Sequence, residues 1–146
     1  PPWLGGIMKI RNSFVTNSSS SSFCITNRSN KNLTIKDLMK DWKNSIKSFY
    51  EEETKWASES FTKYSWGKQF IEQFPTFEVF FNKVLEDADF LYDKEIKPQE
   101  SVELECGDHQ SVDGYASYFI HGTWSDLFPF TPYSENFNVE FLESHH

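Results

Sequence analysis

The chain has 146 residues, 18% of them aromatic with fifteen Phe and five Trp, and a formal net charge of −8. That length suits one domain able to bury a core without staples, and the aromatic content excludes a disordered chain. A mean hydropathy of −0.60, with no apolar run of about eighteen residues, excludes a membrane-spanning helix.

The charge is unevenly spread. Residues 1–50 carry +6 and residues 51–146 carry −14, and no Lys or Arg follows Lys97. An acidic half of this kind disfavours direct nucleic-acid binding and favours a cationic partner, or a surface that mimics nucleic acid. Met8-Lys9-Ile10 reads as a native start, which makes residues 8–146 the expected domain and 1–7 vector-derived. No cationic segment leads into an apolar h-region, so a cytoplasmic protein is expected, with Cys24 and Cys106 as reduced thiols.

In chain order, Ile7 to Val15 and Phe23 to Asn27 have the β-branched and aromatic content of strands. Between them the run Ser18 to Ser22 reads as a loop, because serine side chains compete for backbone hydrogen bonds. Such a run is a flexible polar connection, an anion-binding nest or a segment exposed for modification or cleavage. The phrase Arg11-Asn12-Ser13-Phe14-Val15-Thr16-Asn17, followed by Ser18 to Ser22 and Phe23, resembles the opening of small uncharacterised proteins of bacteriophages and bacteria. The resemblance implies a phage-type origin and, within a bacterial host, the host cytoplasm. It implies no activity.

Ile35, Leu38, Met39, Trp42, Ile46 and Phe49 recur at a period near 3.6, with Lys36, Lys40, Lys43 and Lys47 on the other side. This predicts a helix capped by Thr34 or Asn32 and ending or bending at Glu51 to Glu53. A second helical region spans Trp56 to Phe74, interrupted at Gly67. Pro75-Thr76 then opens a third, running from Phe77 to about Tyr92. Beyond Pro98 the period falls to 2. Val102 to Cys106, Tyr115 to His121 and Phe137 to Phe141 read as strands, with Asp113-Gly114 as the turn before the middle one. The expected fold is α+β in two layers: an N-terminal strand pair and a C-terminal three-stranded meander in one antiparallel sheet, with two or three helices on one face.

Chemistry-bearing residues are sparse. Cys106 and His109, together with the terminal His145 and His146, form a candidate zinc set if a meander brings the strand ends together, with Asp108 or Glu143 beside it. A metal-dependent hydrolase or a structural zinc protein is the alternative this implies. No nucleophile elbow, phosphate loop or kinase signature is present, which favours binding over catalysis and calls for no cofactor. The leading expectation is an accessory protein that binds a host or phage protein through its acidic, aromatic-rich surface. Its candidate anchors are Trp124, Phe128, Phe130 and Tyr133, in the long connection before the last strand.

Overall fold

The computed structural model describes residues 20–60, 65–108, 110–125 and 132–145. Its sheet is organised around β1 (Ser20–Asn27), which pairs on both sides. β2 (Ser101–Gly107) and β3 (Phe137–His145) both run antiparallel to it, giving the order β2-β1-β3. Phe23 and Ile25 point into the core with Leu104 and Cys106, the partners of Phe23 and Ser21 on β2. A register shift beside Ser22 and Phe23 places Leu142 as an extra residue on β3.

Helices fill the core side. Among the described residues they are α1 (Ile35–Asp41), α2 (Lys43–Ser60), α3 (Ser65–Gln73), α4 (Phe77–Leu91) and α5 (Gln110–Ser125). Thr34 starts α1: its N–H donates to Asp37 Oδ2 at 2.8 Å, the return bond of a capping box, and the Asp37 N–H donates to the Thr34 carbonyl at 2.9 Å. Thr76 caps α4, accepting from the Val79 N–H at 3.3 Å. No described helix is long and apolar enough to cross a membrane.

The helix layer closes around Phe80, which is fully buried. The rings of Phe49, Tyr50, Phe70, Phe74, Tyr115 and Phe119 lie 4.9 to 6.5 Å from its centroid, most of them edge-on or tilted. At the other side of the core, buried Asn27 ends β1. Its Nδ2 donates to the carbonyls of Lys31 (2.7 Å) and Ile96 (2.8 Å), and its Oδ1 accepts from the N–H and hydroxyl of Ser29. The connection into β2 is held there by Leu33 and Ile96, which exchange backbone hydrogen bonds.

The architecture is α+β, but its strand order is not a strand pair plus a meander. The expected first strand, Ile7 to Val15, lies outside the described residues, as do Ser18 and Ser19. Ser20 to Ser22 are strand rather than loop, because partners on both sides satisfy their backbone groups and outweigh serine's turn preference. Tyr115 to His121 are helix rather than strand. Tyr, Phe and Ile suit either element, and here Ala116, Phe119 and Ile120 share one buried helical face. Asp113-Gly114 is accordingly not a hairpin turn but a kink inside α5, with Gly114 at φ 87°. A Cβ there would lie 3.0 Å from Asp87 Cγ, and Asp87 Oδ2 accepts the Tyr115 N–H at 2.8 Å, so α4 caps the turn that resumes α5. Lys83 pairs with the same carboxylate at 3.1 Å. Glu51 to Glu53 do not break the second helix, since α2 turns Glu51 and Glu52 outward and continues; the break falls at Trp42.

If Phe80 organises the helix layer, Phe80→Ala lowers stability by about 4 kcal/mol. Phe90→Ala, at a ring 87% exposed on the same helix, changes it by less than about 0.5 kcal/mol. Urea denaturation of the two variants checks the contrast.

Candidate functional site

Two faces of one strand, β3, define the candidate interface. On the side away from the helices, sheet register lines up two rows: Glu105, Ser22 and Glu143, then Glu103, Cys24 and Glu140. All four glutamates are exposed, and none of the three strands carries a Lys or Arg. With alternate strands about 10 Å apart, their fields overlap within roughly one Debye length.

On the helix side, α5 packs mainly over β2 and meets β3 only marginally. Among the described residues, the flank of β3 that α5 leaves open borders a groove of about 490 Å³. Trp124, in the last turn of α5, stacks on Phe141 with ring centroids 4.6 Å apart and planes 9° from parallel. His121 and Phe23 meet this pair edge-on from the core. Farther along, near the Phe137 end of β3, Tyr133 lines the groove, 67% exposed. Arg28 lies 5.7 Å from the Tyr133 ring centre, and its guanidinium donates to the Ser134 carbonyl.

This end of the groove is fixed from α1. Asp41 Oδ2 accepts the Ser134 hydroxyl at 2.7 Å and the Asn136 N–H at 3.1 Å, while Oδ1 accepts the Asn136 amide at 3.0 Å. Ser134 Oγ in turn accepts the Phe137 N–H at 3.0 Å, and the Arg28 N–H donates to the Asn136 carbonyl at 2.8 Å. One carboxylate therefore sets the position of the 132–136 segment and the start of β3.

Of the four expected anchors, the structure brings Trp124 and Tyr133 to one groove, although Trp124 belongs to α5 rather than to a loop. Phe128 and Phe130 lie outside the described residues. Arg28, Asp41, Ser134 and Phe141 were missed. Phe141 carried a signal in the alternation of the last strand; Arg28 and Asp41 carried none, because their roles depend on contacts about a hundred residues away.

Of the zinc candidates, His109 and His146 lie outside the described residues, and so does the side chain of His145. The sheet aligns His145 with Ser20 and Gly107, and Cys106 with Ser21 and Ser144. Among the described residues no group of three or more His, Cys, Asp or Glu is placed to hold a metal ion. Cys106 is buried under α5, next to the Ser117 hydroxyl, which accepts the Gly107 N–H at 2.9 Å. Burial pushes its thiol up to about 12, against a smaller opposing effect of the Ser117 hydrogen bond, so it stays protonated near neutrality.

Comparison with known proteins gives no match: no family model, no curated protein and no solved structure is similar to this chain.

Two measurements follow from these surroundings. Near pH 8, a thiol reagent is expected to modify half-buried Cys24 in the folded protein and to reach Cys106 only in denaturant. The folded state keeps the Cys106 proton until about pH 12, whereas the ordinary value is 9.0, so its contribution to stability is complete below that value and is lost as pH rises towards 12. Burial shifts Tyr115 upward as well, adding to the alkaline loss. Cys106→Ala should flatten the fall in urea midpoint between about pH 8 and 11. Asp41→Asn removes one of two acceptor oxygens and turns an amide donor towards other donors. It is expected to cost about 1 to 3 kcal/mol and to speed hydrogen exchange at the Asn136 and Phe137 amides.

Proposed function

We propose that this chain is a small phage-type accessory protein that acts by binding a host or phage protein in the host cytoplasm. The contact surface is the acidic sheet face together with the aromatic groove beside it. The observation that carries this reading is that two exposed aromatic residues, Trp124 and Tyr133, line one groove together with the strand that presents Glu140 and Glu143 on its reverse. Aromatic rings with one face already packed contribute contact area at little entropic cost, which is why Trp and Tyr dominate the energetic centres of interfaces. Trp124 is held in this way by Phe141. The glutamate rows supply long-range attraction for a basic partner and speed its encounter.

Affinity capture from bacterial lysate tests this. A partner retained by the wild-type chain should be lost from Trp124→Ala/Tyr133→Ala, and also from a variant with Glu103, Glu105, Glu140 and Glu143 all changed to Gln. Its purified complex should weaken at least about tenfold on raising salt from roughly 0.05 to 0.3 M. Capture of the same proteins by all three forms would overturn the reading.

A further inference from the structure

We infer that the partner docks as an extended strand along the free flank of β3, through a segment that alternates apolar with basic residues. This rests on the protein-binding reading and specifies its ligand. Among the described residues β3 pairs only with β1, so its other edge offers its backbone groups. The groove reaches that edge. Phe137, Asn138 and Val139 all line it, and three consecutive strand residues do so together only where the strand's margin, and not just one face, is exposed to the groove.

The paired stretch is bounded. Arg28 and Tyr133 stand at the Phe137 end, and the bulge at Leu142 interrupts regular pairing at the other. From Phe137 to Phe141 the strand runs about 13 Å, room for roughly five residues of an added strand. Opposite Phe137, Val139 and Phe141 the incoming side chains enter the groove, against Trp124, and must be apolar. Opposite Asn138 and Glu140 they emerge on the glutamate face, where the row Glu103, Cys24, Glu140 ends and where no strand residue is a Lys or Arg. Lysine or arginine completes that row. Charge complementarity on one face and apolar fit on the other select the same period-2 pattern.

The probe is a short synthetic peptide alternating lysine with valine or phenylalanine, compared with the same peptide N-methylated on alternate backbone nitrogens, which keeps every side chain and removes ladder hydrogen bonds. The full chain is expected to bind the first at least about tenfold more tightly than the second and to show slowed amide exchange within residues 137–141. Glu140→Lys should weaken the lysine peptide about fivefold and favour a peptide with glutamate in place of lysine. Equal binding of the two peptides, with loss in Trp124→Ala, overturns strand pairing while leaving the broader binding reading standing. Binding of neither peptide overturns the strand proposal, and lysate capture that depends on the two patches still decides the broader reading separately.

Discussion

The packing of six rings around Phe80 is the constraint on which the rest depends. Its neighbours come from α2, α3 and α5 and from the Phe74-Pro75 turn, so none of these helices can move without opening a gap beside it. Aromatic cores of this kind fill space with few residues and tolerate little change of shape. Asp87 then determines how α5 leaves the cluster: its carboxylate holds the Tyr115 N–H, and Gly114 allows the chain to pass close beneath it. α5 then lies mainly over β2 and reaches β3 through its last turn, where Trp124 stacks on Phe141. The groove is thus a consequence of where the helix layer runs out.

A gap at the edge of a core is ordinarily a defect, exposing apolar surface and leaving loop segments loose. Here the Tyr133 end is tied down. Asp41 gathers donors from Ser134 and Asn136, and Arg28 is held by the Ser134 carbonyl and the Tyr133 ring. These contacts connect α1 and the end of β1, neighbours in the chain, with the approach to β3 about a hundred residues later. A binding surface whose side chains are fixed before the partner arrives loses less entropy on association. The Trp124 end is rigid for another reason, the stacking of Trp124 on Phe141.

How much of this was legible in the sequence follows from where the controlling contacts lie. α1 and α4 begin at Thr34 and Thr76, whose caps act within three residues, and their apolar stripes are local patterns. Tyr115 to His121 was misread because its residues serve strands and helices alike, and the deciding contact, Asp87 to Tyr115, spans 28 residues. Asp-Gly has the same ambiguity, since positive φ at Gly114 suits a hairpin turn or a kink. The serine strand is settled only by two partners more than eighty residues away. Trp124 and Tyr133 stood out as aromatics near the last connection. The cation, the carboxylate and the strand that join them in one groove could not be found by any local pattern.

The alternation of β3 bears on a hazard as well as on recognition. An edge strand with an apolar face invites pairing with another copy of itself, which natural sheets resist with bulges and charges. β3 has both, the bulge at Leu142 and the glutamates at 140 and 143. Two copies paired through this edge would bring two sets of glutamates along one surface, and like charges on adjacent strands are destabilising. The same carboxylates would attract the proposed partner strand, with lysine or arginine at those positions. On that proposal one set of residues discriminates in both directions, against the chain's own edge and towards a basic one, with the aromatic groove supplying contact area for the permitted strand.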